Sequence, residues 1–130
     1  NGERSLPARL SDKIVDALET VVSTVAEKVE AAKPRKYRSE TEEHHIVAKK
    51  SPKSAIARKC FDDVGLSVEG EYNKVPVKTG IHRRLHTNVY YGLINTGVLI
   101  AYALGRDRDS KAKNIRAFVG AVGGILMSRE

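Results

Sequence analysis

Apolar residues recur three or four positions apart near the start of the chain, with Glu, Asp and Lys between them. The repeat comprises Leu6, Leu10, Ile14, Leu18, Val21, Val25 and Val29. This spacing places the apolar residues on one face of an amphipathic helix, which Ser5 and Pro7 can start and Pro34 ends. The helix either packs on the rest of the domain or connects it to a longer parent chain. The pattern leaves both alternatives open.

The middle of the chain combines short strand patterns with one short helix pattern. Residues 46–48 predict a first strand, and residues 75–77 predict a second, edge strand because Pro76 cannot donate to a ladder. Residues 52–63 predict a short helix, and Gly65 stands where a helix end favours a left-handed residue. Its inward-facing residues are expected to be Ile56, Ala57, Cys60 and Phe61.

Two longer helix patterns follow. The first begins near Ile81, and it places Leu85, Val89, Leu93 and Ile94 on one side. The second spans residues 110–127, although its glycines weaken the helix propensity. The apolar stretch 89–104 is shorter than the roughly 20 residues that a membrane span needs, so it predicts a buried helix. Two short strands among these helices predict a small α+β domain.

The length and composition of the chain are those of a single folded domain without an internal disulfide. The chain has 130 residues, which suits one domain, with an N-terminal helix over residues 1–34 and the main domain over residues 35–130. The 41% of hydrophobic residues occur in periodic blocks, which excludes a disordered chain. The single Cys60 excludes an internal disulfide and suits a reducing compartment. Residues 1–15 lack the apolar core of a signal peptide, and the missing initiator Met suggests a piece of a longer protein.

The charge is strongly positive. Lys and Arg total 23 against 16 Asp and Glu, which gives a net charge of +7 and favours a polyanionic partner. Residues 33–38, KPRKYR, hold four basic residues and no acid: Lys33, Arg35, Lys36 and Arg38. The segment is either a solvated linker or a patch that contacts phosphates.

The four histidines fall into two groups. His82 and His86 are four residues apart on a predicted helix, so both imidazoles share one face and can converge on one cation. His44 and His45 are adjacent on or beside a strand, so their side chains point in opposite directions. One of them could complete a three-histidine metal site with an open position, and the other could accept a proton from water. Cys60 is the only thiol that could close such a site, and its mid-helix position disfavours this.

Three segments together resemble a known family. They are EEHHIVAKK at residues 42–50, PKSAIARKCFDDVGL at residues 52–66 and GIHRRLHTNVYYG at residues 80–92. Their order resembles the ββα-metal, or HNH/endonuclease VII, superfamily, and more closely the AHH nucleases at the C-termini of bacterial polymorphic and contact-dependent toxins. The resemblance covers residues 41–94. Glu43 stands where the family has Ala before the HH pair.

The resemblance implies roles for individual residues. His44 would ligate the metal from the end of the first strand, together with His82 and His86 from the helix. His45 would be the general base that activates water, and Asn88 would hold the loop that carries this base.

Other residues in the same motif have less specific interpretations. Arg83 and Arg84, between the two helical histidines, either clamp phosphates or lie on a solvated face. Tyr90 and Tyr91 match the family pattern and are interpreted as core residues.

The implied fold is a ββα-metal core with flanking N- and C-terminal helices, and the implied activity is that of a metal-dependent endonuclease. DNA is favoured over RNA as substrate. The bound divalent ion is expected to be zinc, with Mg, Mn or Ni possible for turnover. The resemblance further implies a secreted bacterial toxin that acts in the target-cell cytoplasm and is neutralised by an acidic immunity protein. An RNase with the same histidines and a non-catalytic, zinc-stabilised nucleic-acid-binding module are the alternatives.

Overall fold

The computed structural model describes residues 5–31, 41–78 and 87–128. Within these ranges the chain forms two strands and four α-helices, in the order α1, β1, α2, β2, α3, α4. Their bounds are Ser5–Ala31 for α1, Thr41–His45 for β1, Ala55–Asp63 for α2, Lys74–Lys78 for β2, Asn88–Leu104 for α3 and Arg108–Ser128 for α4. The mixture of helices with one small sheet confirms the predicted α+β class.

Helix α1 has the extent that its apolar spacing predicts. Val21, Val25 and Val29 belong to the same buried cluster as residues of α3 and α4. The C-terminal half of α1 therefore packs on the domain, which is the first of the two alternatives left open by the sequence. The domain boundary at residue 34 stays a prediction.

Strands β1 and β2 form an antiparallel pair in which His44 lies opposite Val75 and His45 opposite Lys74. The first strand was expected at residues 46–48, which is wrong, because β1 ends at His45. The backbone N–H of Ile46 donates to the carbonyl of Asn73, and that of Val47 donates to the side-chain oxygen of Asn73. The second of these bonds joins the backbone to a side chain, so the ladder does not continue beyond this point.

Helix α2 follows a single 3-10 turn at Pro52–Ser54. Its buried face consists of Ala57, Cys60, Phe61 and, just beyond its end, Val64. Ile56 was predicted to face inward and is 51% exposed, because it lies beside this stripe rather than in it. Gly65 has a φ of 76°, which confirms the left-handed residue predicted after this helix.

Helix α3 begins at Asn88 and therefore does not continue without a break from the start predicted near Ile81, which lies outside the described residues. Thr87 has an extended backbone, and its hydroxyl accepts a hydrogen bond of 3.2 Å from the N–H of Tyr90, which makes Thr87 the N-cap. Val89 was expected on the inner side and is 53% exposed. The buried residues of α3 are Tyr90, Tyr91, Ile94, Gly97, Val98 and Ala101.

Helix α4 confirms the prediction for residues 110–127. It packs closely on α3, where a side-chain carbon at Gly97 would come within 2.0 Å of the Phe118 ring. The core therefore lies between α1, α3 and α4, with the strand pair and α2 at its edge. Among the described helices, none is both long and apolar enough to cross a membrane.

Candidate active site

His44 is buried in the sheet. Only 2% of the surface of His44 is exposed, and its Nε2 lies 2.9 Å from the hydroxyl of Tyr90 on α3. The two rings are 5.7 Å apart and tilted. The contact joins the end of β1 to the first turn of α3, so the orientation of this imidazole depends on both elements.

Tyr90 supplies a neutral hydroxyl to His44. Burial raises the pKa of Tyr90 far above its ordinary value, with a smaller contribution from Tyr91, so the phenol keeps its proton. A cation that binds while this hydrogen bond persists must take Nδ1 of His44, with Nε2–H donating to Tyr90. Metal-ligating histidines commonly have such a partner on the other ring nitrogen. His44 therefore fits the ligand role that the resemblance implies.

His45 leaves the strand on the opposite side, which confirms the divergence predicted for adjacent strand residues. Its side chain is 16% exposed, and Nε2 lies 2.7 Å from Oε1 of Glu69. Nζ of Lys49 lies 3.5 Å from the same oxygen. The hydrogen bond from His45 and the charge of Lys49 hold the pKa of Glu69 below its ordinary value.

The ionised carboxylate of Glu69 fixes the roles of the two ring nitrogens of His45. A carboxylate only accepts hydrogen bonds, so Nε2 of His45 must carry the proton. In the neutral imidazole the lone pair then resides on Nδ1. The contact with Glu69 thus leaves Nδ1 as the ring nitrogen that can accept a hydrogen bond or a proton when the imidazole is neutral.

Asn73 ties together the segments that follow His45 and precede Glu69. This asparagine is completely buried. Its Oδ1 accepts a 2.8 Å bond from the N–H of Val47, and its Nδ2 donates to the carbonyls of Val47 at 3.0 Å and Val68 at 2.9 Å. One side chain thus holds both backbone segments.

Several predicted site residues lie outside the described part of the chain. They are His82, His86, Arg83, Arg84, Lys33, Arg35, Lys36 and Arg38. Within residues 5–31, 41–78 and 87–128, no group of three or more His, Cys, Asp or Glu side chains is placed to hold a metal ion. The ligand set of three histidines and the phosphate contacts therefore stay predictions.

Asn88 is exposed at the first position of α3. The side chain that holds the segment after His45 is that of Asn73, and the role expected of Asn88 stays a prediction. Glu43, the departure from the family pattern, is exposed opposite Pro76. Cys60 is buried in α2, and burial followed by the charge of Asp63 raises the pKa of its thiol.

The sequence did not single out Glu69 or Asn73, and it treated Tyr90 only as a core residue. Tyr90 is indeed in the core. A buried hydroxyl needs a hydrogen-bond partner, and this requirement could have indicated from the sequence that Tyr90 contacts a polar side chain. Helix α2 separates Glu69 and Asn73 from the HH pair in the sequence, and the fold brings them together. No local spacing in the sequence therefore identifies these two residues.

Comparison with protein families gives a match that covers most of the chain. The family is AHH, described as a nuclease family of the HNH/ENDO VII superfamily with conserved AHH, and the match spans residues 25–122. These residues run from within α1, through both strands, into α4. Comparisons with curated proteins and with solved structures gave no match.

Proposed function

Because the chain belongs to the AHH nucleases of the HNH/ENDO VII superfamily, we propose that it is a metal-dependent endonuclease that hydrolyses the phosphodiester bonds of DNA. The pair His44 and His45 carries this proposal. Two adjacent imidazoles occupy different environments, one buried against Tyr90 and the other at the surface beside Glu69. The difference suits one ligand and one base.

His45 is the proposed general base. Its partial exposure gives water access to the imidazole, and its Nε2 is already engaged by Glu69. Nδ1 of the neutral ring therefore accepts the proton of the attacking water and holds it while the phosphodiester bond breaks. The buried His44 has no such access.

His44, His82 and His86 are the proposed metal ligands. A divalent cation bound by them would polarise the phosphodiester and stabilise the leaving oxygen. Three imidazoles suit zinc as the bound ion, and Mg, Mn or Ni remain candidates for turnover. Tyr90 contributes by orienting His44 from within the core.

The net charge of +7 supports a nucleic acid as the substrate. Arg83 and Arg84, next to the proposed ligands in sequence, are proposed to clamp neighbouring phosphates. The basic segment at residues 33–38 would extend these contacts along the backbone of the substrate.

We further propose that the chain is the toxin domain of a larger secreted bacterial protein and acts in the cytoplasm of the target cell. A producing cell would then need an immunity protein. The excess of basic residues favours an acidic partner, because complementary charge speeds association and competes with nucleic acid for the same surface.

Cleavage assays on plasmid DNA and total RNA, with each divalent metal and with a chelator, test the proposal. We expect cleavage of DNA that the chelator abolishes. His45→Ala should lower the cleavage rate by about 100-fold to 10,000-fold, as expected for a lost general base. Metal content and nucleic-acid binding should persist in that variant, whereas His82→Ala should lower metal content and activity together.

Each alternative gives a different result. Cleavage of RNA alone supports the RNase, and binding without any cleavage supports the nucleic-acid-binding module. A His45→Ala variant that cuts at the wild-type rate refutes the role of His45 as base. Loss of metal from the same variant instead shows that the roles of His44 and His45 are exchanged or shared.

A further inference from the structure

We propose that Glu69 is the positioning residue of His45: its carboxylate holds Nε2–H of the imidazole and so directs Nδ1 to the attacking water. This inference rests on the proposed function, because it assumes that His45 is the base. It adds a residue from the loop between α2 and β2 to the reaction, although that loop carries none of the family's histidines.

The contact has the geometry of a short, charge-assisted hydrogen bond. The two atoms are 2.7 Å apart, within the range for a ring N–H that donates to a carboxylate. An acceptor at Nε2 selects the tautomer with the lone pair on Nδ1 and restrains rotation of the ring. A carboxylate performs the same task for the histidine of serine hydrolases, where it fixes both tautomer and orientation.

The loop that carries Glu69 is anchored beside the strand end. Asn73 Nδ2 holds the carbonyl of Val68, the residue before Glu69. The N–H of Glu69 donates to Oγ of Ser67 at 3.1 Å, and the N–H of Ser67 donates to the hydroxyl of Tyr72 at 2.9 Å. These bonds fix the backbone of the loop relative to His45.

Neither folding stability nor substrate binding explains why a carboxylate lies beside His45. The side chain of Glu69 is more than half exposed, and exposed ion pairs contribute little to folding stability. A negative charge beside a site for a polyanion repels the substrate. Positioning of the base is a role that uses the 2.7 Å contact with His45, which is shorter than the 3.5 Å contact of the same oxygen with Lys49.

Steady-state kinetics of variants at this position test the inference. Glu69→Ala should lower kcat by about 100-fold, because a misplaced reacting group costs that much, with KM unchanged or lower. Glu69→Gln should recover part of the loss, since the amide oxygen can still accept from Nε2–H. Glu71→Ala is the matched control, because Glu71 is an exposed carboxylate of the same loop that pairs with Lys74 at 3.3 Å. It should keep the wild-type kcat.

A double variant separates positioning from a general effect on the protein. In the His45→Ala background, Glu69→Ala should cause no further loss of kcat, because the residue acts only through that ring. An additive loss, or a wild-type kcat in Glu69→Ala, overturns the inference and leaves the proposed nuclease intact. Failure of the wild-type protein to cleave nucleic acid refutes the proposed function, and the positioning role falls with it.

Discussion

At the scale of single residues, the HH pair shows how one peptide unit separates two chemical roles. The pleat of β1 turns His44 into the core and His45 towards solvent. Tyr90 and Glu69 then give each ring a different partner. Two copies of the same side chain thereby acquire different environments without any difference in residue type.

The opposite directions of the His44 and His45 side chains were predictable, because successive side chains of a strand point to opposite faces. Its partners were not, because Tyr90 and Glu69 reach the pair through tertiary packing. Asn73 is a similar case: nothing in its neighbouring residues marks it, yet it joins two segments that are distant in sequence. The ligand roles of His82 and His86 stay predictions from spacing and resemblance.

Tyr90→Phe should destabilise the protein while preserving its core. The ring stays in place, but His44 loses the hydroxyl at Nε2, and loss of a buried hydrogen-bond partner costs about 1–3 kcal/mol. Urea denaturation followed by circular dichroism measures the free energy of unfolding. Tyr102→Phe is the control, because its hydroxyl bonds to Asp63 at an exposed position where water can replace it. Equal losses in both variants would contradict the buried contact.

At the scale of elements, apolar spacing predicted the presence of the helices more accurately than the residues at which they begin and end. The bounds of α1 and α4 agree with the pattern because long amphipathic repeats average over many residues. The apolar pattern predicted a helix that continues through residue 87, whereas the hydroxyl of Thr87 caps α3 at that position. The position of β1 was wrong because Asn73 captures the backbone at residue 47.

The start of α4 depends on a reciprocal cap. Oδ1 of Asp107 accepts a 2.8 Å bond from the N–H of Ser110, and Oγ of Ser110 accepts one of 3.1 Å from the N–H of Asp107. The bonds from Ser110, first from its backbone and then from its side chain, lower the pKa of Asp107 below its ordinary value. The ionised carboxylate is therefore the form that favours the folded state.

Asp107→Ala should lower the thermal midpoint at pH 7 by roughly 2 to 8 °C, as expected for a lost N-cap. Asp107→Asn should stay close to wild type, because asparagine caps helices as well as aspartate. The depressed pKa contributes stability above about pH 4, and that contribution is lost as the pH falls through the folded pKa. Thermal scans at pH 7 and pH 3 should therefore show a larger loss in wild type than in Asp107→Asn. Parallel losses would contradict the titration of the cap.

At the scale of the whole molecule, the excess of positive charge should govern affinity for nucleic acid. If Lys33, Arg35, Lys36 and Arg38 contact phosphates, neutralising them should flatten the dependence of log affinity on log salt by about one unit per lost contact. Binding measured in the His45→Ala background avoids cleavage. Neutralising four exposed basic residues elsewhere, Lys59, Arg106, Lys113 and Arg116, gives a control of equal charge. An unchanged slope in the first variant would identify residues 33–38 as a linker.

The strand that carries His44 and His45 is joined to its partner strand by residues 46–73 rather than by a tight turn. Closing so long a segment costs chain entropy, and a pair of short strands has little stability of its own. Helix α3 and helix α4, by contrast, are neighbours in sequence and can pack early. We therefore expect the strand pairing to form on a core that is already in place, so that the HH pair is assembled late in folding. A partly folded chain carries every histidine and no nuclease site.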